Sequence, residues 1–476
     1  IYDEARENFA FLDDHLNKIL EDSLELIAGK IDLEGEGVVV FNPLPWEVSE
    51  WVEADLKLEG REKIGIEGVE SELLEEERDG KGKLKRVKIG FIANVPPLGY
   101  KAYKVIEVAK EIERAQRVFG NEVENEFFRV WVDENTGILE IRDKEGEFLA
   151  KGNELVIEDE IGDLYLHRSR FCDLIKSENG AGFEYGGFKP KGFRIEKGPV
   201  KTRVIFENEY FCLRWPYRLV NRFKPELWSH KVMDISKELI IYKNLPRIDF
   251  ITKVTNRYPN IRLRVKFNTG IRRMSYSRET QFGVIDEPTR QFVELEGRRE
   301  AVPGIPHFLT WFDYSDGIRG LTFMNKGIPA NEIIDDSVYM TLFRSVYGLS
   351  ADGISGPLIP TPDALELRDF TFKYALYPHQ GDWREGKSFK QAQQFDHSLI
   401  PVQISGKEGE LPSGFSFFKL KPDNLIVSAF KKAEDGEELI LRFFETKGEA
   451  TKAEIEAFRG VKKAKLVDFL EGEEKE

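Results

Sequence analysis

The first part of the chain has the hydrophobic spacing of an amphipathic helix. Between residues 3 and 30, apolar side chains return at every third or fourth position, which is the period of one helix face. Gly29 supplies a stop signal. The apolar positions are Phe9, Leu12, Leu16, Ile19, Leu20, Leu24 and Ile27. The pattern predicts one long helix, followed later by a brief helical segment at 106–119. Because a lone helix cannot bury such a stripe, we expect bundle partners or self-association.

After this helix the pattern changes to short runs typical of β-strands. Apolar and polar residues alternate, and turns rich in Pro and Gly separate the runs. The predicted strands are 38–41, 51–58, 83–91 and 100–108. An acidic stretch at 68–82 contains several glycines and predicts a loop or a loose hairpin. These signals together predict a small antiparallel β-sandwich over 34–110.

The middle of the chain continues with short strands and has no intervening helices. Regular strands over so many residues predict two sheets that cover each other's apolar faces, and they argue against a parallel α/β core. The predicted strands are 127–132, 138–142, 193–195, 201–211, 237–242, 248–256, 261–268, 338–344 and 369–377. Further strands at 415–420, 424–431, 438–445 and 464–470 predict a small closing sandwich. The fold class is therefore mainly β, with a short N-terminal helical segment.

Composition narrows the class of protein. The 476 residues are 41% hydrophobic and include 35 Phe, which indicates a globular chain rather than a disordered one. Seventy Lys and Arg against 85 Asp and Glu give a net charge of −15, so neither nucleic acid nor an anionic membrane is an expected partner. The two cysteines, Cys172 and Cys212, are too few for a disulfide framework. We expect a cytoplasmic protein, and the high Lys and Glu content fits a thermophilic source.

The sequence contains no recognisable catalytic motif. Its six histidines are scattered, and no two of them are spaced to coordinate one metal ion from a single helix or strand. Gly-x-Ser-x-Gly and a phosphate-binding Gly-rich loop are both absent from the sequence. With 85 acidic residues, the sequence does not indicate which two carboxylates could act as a catalytic pair. Spacing therefore predicts no catalytic residue, no metal site and no cofactor in this chain.

Five segments resemble, in the same order, the region that follows the barrel in family 38 glycoside hydrolases, the α-mannosidases. They are VFNPLPW at 40–46, ENEFFRV at 124–130 with DENTG at 133–137 and LEIRDK at 139–144, QFGVI at 281–285 with Pro288 and Thr289, ALYPH at 375–379 with GDW at 381–383, and KKAED at 431–435 with LILRFF at 439–444. Each motif is short, but together they span nearly the whole chain. The resemblance is therefore fairly specific.

The resemblance also implies what this sequence does not contain. Family members carry an N-terminal α/β barrel with a His-x-Asp pair, an Asp that is both nucleophile and zinc ligand, and a later His-Asp motif, and none of these has a counterpart here. We therefore expect the non-catalytic C-terminal portion of a retaining α-mannosidase-like enzyme, inactive alone, whose partners are the barrel, in the same or a separate chain, and a mannose-containing carbohydrate. Zinc is expected in the barrel.

The resemblance assigns domains and candidate sugar contacts. The expected domains are a helical-bundle remnant at 1–33, the small β-sandwich at 34–110, a galactose-mutarotase-like β-supersandwich at 111–405 and a C-terminal β-sandwich at 406–476. In the family, loops of the large sandwich face the barrel and reach the sugar. The candidate substrate-binding residues on such loops are Tyr276, Glu279, Gln281, Arg344 and Asp352. Tyr377-Pro378-His379 is a weaker candidate, because such a segment is more often a packed strand end.

Two other classes of function remain open from the sequence. The chain could be a carbohydrate-binding or scaffold subunit that pairs with a separately encoded catalytic chain. It could also be a free-standing mutarotase-like epimerase, in which a histidine and a carboxylate act as acid and base. The gene upstream of Ile1 discriminates the first of these from the α-mannosidase interpretation, because an in-frame barrel supports the latter.

Overall fold

In the computed structural model, the chain is mainly β-structure. The structure describes residues 2–58, 60–168, 176–177, 186–213, 229–289, 306–350 and 355–472. The predicted fold class is confirmed. The helices are α1 (Tyr2–Ala28) and α2 (Ser388–Asp396), with a 3-10 turn at Pro362–Leu365. No helix in these ranges is both long enough and apolar enough to cross a membrane.

The strands are numbered here in chain order. The first six are β1 (Leu33–Asn42), β2 (Val48–Lys57), β3 (Ile64–Ile66), β4 (Ser71–Arg78), β5 (Leu84–Val95) and β6 (Gly99–Glu107). The next ten are β7 (Gln116–Val118), β8 (Glu122–Glu124), β9 (Phe128–Val132), β10 (Leu139–Asp143), β11 (Phe148–Asp159), β12 (Lys176–Ser177), β13 (Gly186–Lys197), β14 (Lys201–Leu213), β15 (Ser229–Tyr242) and β16 (Ile248–Asn256).

The remaining strands follow in chain order. They are β17 (Ile261–Asn268), β18 (Ser275–Thr280), β19 (Gly283–Pro288), β20 (Trp311–Ser315), β21 (Arg319–Lys326), β22 (Asn331–Ile334), β23 (Ser337–Ser345), β24 (Gly348–Ser350), β25 (Ile359–Pro360) and β26 (Asp369–Gln380). The last six are β27 (Ile400–Lys407), β28 (Gly414–Ser416), β29 (Phe418–Lys421), β30 (Leu425–Lys432), β31 (Leu439–Glu445) and β32 (Glu454–Ala457).

The chain divides into two compact units. The first comprises Ile1–Ala115, Gln281–Val284 and Gln393–Glu476, and the second comprises Gln116–Thr280 and Ile285–Ala392. This division groups the N-terminal and C-terminal parts of the chain in one unit. The four-domain division expected from the resemblance stays a prediction.

The first unit contains a five-stranded sheet, a three-stranded sheet and two short hairpin-like sheets. In the five-stranded sheet the order is β27-β1-β6-β28, with β3 also paired to β6, and the three-stranded order is β2-β5-β4. Phe91 of β5 packs edge-on against Tyr103 of β6 with ring centroids 5.2 Å apart, so an aromatic contact joins the two sheets. The stretch 68–82, predicted as a loop or a loose hairpin, contains β4, which pairs antiparallel with β5. Its Glu75 and Glu77 lie opposite Lys88 and Arg86 on β5, and such cross-strand charge pairs favour pairing.

The second unit is a sandwich of two large sheets. An eight-stranded sheet has the order β22-β23-β17-β11-β10-β9-β8, with β12 paired to β11. A ten-stranded sheet has the order β19-β18-β20-β21-β26-β16-β15-β14-β13-β7. Phe267 of β17 packs against Phe250 and Phe323 of the opposite sheet, with ring centroids 5.5 and 5.6 Å apart. One hydrophobic core therefore lies between the two sheets, as the predicted double layer requires.

Three local predictions from the sequence are wrong. Helix α2 (Ser388–Asp396) lies in the region that was predicted to have no helices. The segment 106–119 is not a helix, because Ile106 pairs with Gly65 in the sheet and Gln116–Val118 forms β7. The segment 464–470 is not a strand, and its Leu466, Phe469 and Leu470 are exposed. Periodicity alone could not exclude a helix at 106–119 or a strand at 464–470, because the apolar spacing of such short segments fits both a helix and a strand.

Helix α1 confirms the predicted helix and the exposure of its apolar stripe. Phe9, Leu12, Leu16, Ile19 and Leu20 are all exposed. Only the C-terminal turns are anchored: Leu24, Ile27 and Ala28 pack with a small cluster that includes Phe41, Tyr100 and Ile404. The stripe and the anchor therefore make different contributions to stability.

This difference predicts the outcome of substitutions on α1. Leu12→Lys and Leu16→Lys together should change the free energy of unfolding by less than about 0.5 kcal/mol, because both side chains already contact solvent. Ala28→Lys on the same helix should destabilise the first unit by about 2 kcal/mol or more, because it buries a charge. Calorimetry measures both effects. A double variant as unstable as Ala28→Lys would show that the stripe is part of the core.

Candidate functional site

Three chain segments meet around Arg344 at one end of the second unit. They are residues 160–168 after β11, residues 344–350 at the end of β23, and residues 355–367, and we call this region the loop end. Leu164 N donates to the Gly348 carbonyl at 3.2 Å, and Thr361 N donates to the Tyr347 carbonyl at 2.8 Å. Ser355 Oγ also donates to the Asp163 carboxylate. Backbone and side-chain hydrogen bonds therefore hold the three segments together.

A buried carboxylate, Glu160, lies at the centre of the loop end. Its side chain has 0% exposure, and its Oε2 accepts hydrogen bonds from His167 Nδ1 at 2.6 Å and Arg344 Nε at 2.8 Å. The other oxygen, Oε1, accepts from the backbone N–H groups of Gly162 and Arg168 at 2.9 and 3.2 Å. Four donors thus satisfy one carboxylate that water does not reach.

The electrostatics of Glu160 follow from these partners. Burial alone would raise the pKa of the Glu160 carboxyl, but the hydrogen bonds and charges of His167 and Arg344 outweigh it and lower the pKa to about 2. Glu160 is therefore ionised at neutral pH. As a carboxylate it only accepts hydrogen bonds, so His167 carries a proton on Nδ1.

Arg344 connects this carboxylate to the backbone of the same loop. Its Nη2 donates to the carbonyls of Asp163 and Leu166 at 2.7 and 3.1 Å. The loop turns so tightly that a Cβ on Gly162 would lie 1.9 Å from the Leu166 carbonyl oxygen. Only glycine permits that approach. The Arg344 contacts and this glycine fix the position of segment 160–168.

The rim of the loop end exposes large apolar side chains. They are Ile161, Leu164, Tyr165, Leu166, Tyr347, Leu358, Ile359 and Leu367. Single exposed apolar residues are common, but a group concentrated around one polar centre marks a surface that binds a protein or a ligand. The loop end is therefore the candidate functional site.

The structure places the five predicted site residues differently. Arg344 lies at the loop end, but its Nε and Nη2 hold protein groups. Tyr276 is buried against Phe312, and burial raises the pKa of its phenol to about 12. Glu279 Oε2 accepts from Thr310 N at 2.9 Å. Both lie on β18 in the ten-stranded sheet, whereas Arg344 lies on β23 in the eight-stranded sheet.

The other two predicted residues are placed as follows. Gln281 is exposed in the turn between β18 and β19 and is grouped with the first unit. Asp352 lies outside the described residues. Sugar contact by the five residues stays a prediction, although a buried phenol such as Tyr276 is poorly placed for it.

Sequence reasoning missed Glu160 and His167. Glu160 is 184 positions from Arg344, and nothing in the spacing of either residue indicates that they pair. His167 had no partner at metal-ligand or catalytic spacing in the sequence. No local pattern in residues 148–168 indicates that these two side chains meet Arg344.

A second polar cluster surrounds His379 of the ALYPH segment. The nearly fully buried His379 Nε2 contacts Asp313 Oδ1 at 2.7 Å, and Ser388 Oγ lies 3.4 Å from the same nitrogen. A Ser-His-Asp triad needs its serine and carboxylate on different ring nitrogens, so this arrangement is not a nucleophile triad. Gly320 makes room for the ring, since a Cβ there would lie 2.2 Å from His379 Cε1. We interpret the cluster as structural.

The His379 pair predicts a pH-dependent contribution to stability. Burial alone would lower the pKa of His379, but the hydrogen bond and charge of Asp313 outweigh it and raise the pKa. The pair therefore stabilises the fold below the ordinary histidine pKa of about 6.5, and this contribution is lost as pH rises through the folded-state pKa. Asp313→Asn should cost about 2 kcal/mol at pH 6 and less at pH 9. Urea unfolding at both pH values checks this, and an equal cost at both would contradict it.

The described residues do not fit a metal centre. They contain no group of three or more His, Cys, Asp or Glu side chains that could hold an ion. The zinc expected in the catalytic barrel therefore has no ligand set in the part of the chain that the structure covers.

Comparisons with known proteins agree on one family. Residues 123–348 match the family described as "Glycosyl hydrolases family 38 C-terminal domain", and residues 424–476 match "Glycosyl hydrolases family 38 C-terminal beta sandwich domain". Glu160, His167 and Arg344 all lie within the first match.

Curated and solved relatives point the same way. A putative mannosylglycerate hydrolase from Halalkalibacterium halodurans is 25% identical over 385 residues, covering 74% of this chain and 39% of that protein. Alpha-mannosidase G of Dictyostelium discoideum is 27% identical over 221 residues, covering 46% of this chain and 19% of its own. A glycosyl hydrolase family 38 structure from Enterococcus faecalis superposes with a TM-score of 0.75 at 18% identity, over 92% of this chain and 56% of its own. The chain thus spans about half or less of the length of these relatives.

Proposed function

The chain belongs to the C-terminal half of the family 38 glycosyl hydrolases, and from this we propose that it is the non-catalytic portion of a retaining α-mannosidase-like enzyme. In this proposal it supports a catalytic α/β barrel and contributes loops to the sugar pocket. The substrate class is a mannose-containing carbohydrate, which the names of the mannosylglycerate hydrolase and α-mannosidase relatives support. We also propose a cytoplasmic location.

The loop end is the observation that carries the proposal. Eight large apolar side chains are exposed on the three segments of the loop end, whose buried carboxylate pairs with Arg344. Covering apolar surface stabilises an interface by about 25 cal/mol per Å², so a barrel packed on this rim would gain from it. Glu160 and Arg344 keep the backbone of the rim fixed, and a fixed backbone is what a supporting loop beside a catalytic site needs.

The catalytic groups belong to the barrel in this proposal. A retaining glycosidase uses two carboxyl groups about 5 to 5.5 Å apart across the scissile bond. The resemblance assigns the nucleophile and zinc to the barrel. The role of the present chain is therefore positioning and pocket shape rather than chemistry.

The epimerase interpretation gains little from the observed histidine and carboxylate pair. An epimerase of this kind needs an acid and a base that both reach the sugar. Glu160 is fully buried and accepts from four donors, so it cannot take a proton from a ligand without leaving its site. The α-mannosidase proposal is therefore preferred.

Activity measurements test the proposal. The natural protein, purified from its source together with any chains bound to it, should hydrolyse an aryl α-mannoside. Residues 1–476 produced alone should not. Leu358→Asp together with Ile359→Asp should reduce the activity of the natural protein at least tenfold by charging the rim. Ile318→Asp is the matched control, because Ile318 is exposed in the same unit but outside the loop end. Turnover by residues 1–476 alone, or full activity of the rim variant, would overturn the proposal.

A further inference from the structure

We infer that His167 and Arg344 form a two-point site for neighbouring hydroxyl groups of a pyranose, oriented by Glu160 and flanked by Tyr165 and Tyr347. The inference deepens the proposed function, on which its choice of a mannose-type ligand rests. It differs from the predicted role of Arg344 in naming the ligand-facing atoms, His167 Nε2 and Arg344 Nη1.

The two side chains share one anchor. His167 Nδ1 and Arg344 Nε both donate to the same oxygen of Glu160, at 2.6 and 2.8 Å. Two donors on one oxygen lie close together, and the carboxylate itself is fixed by two backbone N–H groups. Glu160 thus fixes the His167 imidazole and the Arg344 guanidinium relative to each other. Because both side chains are already ordered, binding a ligand costs little further side-chain entropy.

Each side chain keeps one polar atom for a ligand. Arg344 uses Nε and Nη2 on protein groups, and His167 uses Nδ1. In the described part of the chain, no group hydrogen-bonds to Arg344 Nη1 or to His167 Nε2. The two side chains are 23% and 21% exposed, so solvent or a ligand reaches them.

The outward-facing nitrogens of the pair suit hydroxyl partners. Because His167 Nδ1 donates to Glu160, Nε2 is the ring nitrogen left for a ligand, and Arg344 Nη1 can only donate. A hydroxyl group both donates and accepts, so it pairs with Nε2 in either protonation state of the ring. Two adjacent hydroxyls of a sugar therefore satisfy both atoms.

The Glu160 carboxylate disfavours an anionic ligand. It is buried and ionised, and Arg344 already donates to it through Nε. An anion beside Arg344 Nη1 would therefore lie close to a like charge that the same guanidinium already pairs, which weakens its binding.

The neighbouring tyrosines supply an aromatic surface. Tyr165 is 66% exposed and Tyr347 is 47% exposed. Each is adjacent in sequence to one partner of the Leu164–Gly348 hydrogen bond, so the two residues lie on joined loops. A tyrosine offers an apolar ring and a polar hydroxyl, which suits a ligand with C–H faces and hydroxyl edges. An aromatic surface with a few polar groups is typical of the lining of a small-ligand site.

Binding to residues 1–476 alone tests the site directly. Methyl α-D-mannopyranoside should shift the His167 ring signals in NMR spectra of histidine-labelled protein, whereas sodium acetate at equal concentration should not. His167→Ala should weaken sugar binding about five- to tenfold, the loss expected for one hydrogen bond. His397→Ala is the matched control, because His397 is exposed in the other unit.

The aromatic surface has its own matched pair. Tyr165→Ala should weaken binding about fivefold. Phe119→Ala, at an exposed ring of the second unit outside the loop end, should leave binding unchanged. Equal affinity of Tyr165→Ala and the unsubstituted chain would remove the tyrosines from the inference, and a shift caused by acetate alone would overturn the hydroxyl assignment.

Kinetics of the natural protein separate this inference from the proposed function. His167→Ala should raise KM about five- to tenfold at unchanged kcat, which is the signature of a lost binding contact. If the natural protein hydrolyses the aryl α-mannoside with an unchanged KM in His167→Ala, the inference fails and the proposed function stands. If residues 1–476 bind the sugar through His167 but the natural protein has no activity, the proposed function fails and the site stands.

Discussion

Glu158→Gln should lower the free energy of unfolding of the second unit by about 3 to 5 kcal/mol, the cost of breaking a buried ion pair from one side. Glu158 of β11 bridges two arginines of β17: Arg262 Nε lies 2.5 Å from Oε2, and Arg264 Nη2 contacts Oε1. Arg264 Nη1 also reaches Glu332 at 2.8 Å. All four side chains are buried.

The size of this effect follows from what the substitution leaves behind. Arginine cannot neutralise itself by losing a proton at ordinary pH, so Arg262 would remain charged and buried. Arg262 Nη1 and Arg264 Nε are already buried without a hydrogen-bond partner among the described residues, so the cluster has no spare acceptor. Glutamine keeps the volume of Glu158, but it removes the charge and replaces one acceptor oxygen with an NH2 group that cannot accept from arginine.

Urea unfolding of Glu158→Gln, Arg264→Met, their double variant and a control measures the effect. Glu140→Gln is the control, because it removes one carboxylate from a part-exposed pair with Arg142 and should cost under about 1 kcal/mol. In a double-mutant cycle, Arg264→Met should cost less in the Glu158→Gln background than alone, because the two side chains interact. Additive costs, or a Glu158→Gln cost as small as the control, would show that the cluster is not energetically coupled.

Glu160→Gln should cost about 3 kcal/mol at pH 7, and the cost should shrink in acid. The pKa of Glu160 falls from the ordinary value of 4.5 to about 2 on folding. At about 1.4 kcal/mol for each tenfold change in the ionisation equilibrium, this difference corresponds to about 3 kcal/mol of stability. Because the folded-state pKa is lowered, the stabilisation is complete above about pH 4.5. It is lost as pH falls from there toward 2.

Urea midpoints at pH 7, 5 and 3.5 measure this dependence. The gap between Glu160→Gln and the unsubstituted protein should be constant from pH 7 to 5 and about 1 kcal/mol smaller at pH 3.5. Glu207→Gln, at a part-exposed carboxylate of the same unit, should show little change at any pH. A gap that stays constant down to pH 3.5 would mean that hydrogen-bond geometry, not charge, carries the contribution of Glu160.

Local patterns predicted most of the regular structure. The long helix, the strands 248–256 and 261–268 and the double-layer fold class are all present, because their period of 3.6 or 2 depends on which face of a single element is apolar. The acidic stretch 68–82 did not identify β4 as a regular strand, since the partners of its glutamates on β5 are set by strand pairing rather than by local sequence. Helix α2 was also missed.

The buried charges could not be predicted from the alternation. In β17, Leu263 and Val265 face the core, so Arg262 and Arg264 lie on the opposite face, where an alternating pattern predicts solvent. The structure buries them with Glu158 and Glu332 instead. The sequence shows the charged residues but not which other residues bury them.

By itself, then, the sequence determined the element types, the mainly β fold class and the family, because these depend on periodicity and on short motifs that stand in order along one chain. Only the tertiary structure decided which polar residues meet. Glu160 and His167 reach Arg344 from 184 and 177 positions away, through strand register and loop hydrogen bonds that no local pattern encodes. The same structure buried Tyr276 and left Tyr165 and Tyr347 exposed, since burial depends on how the elements pack against one another.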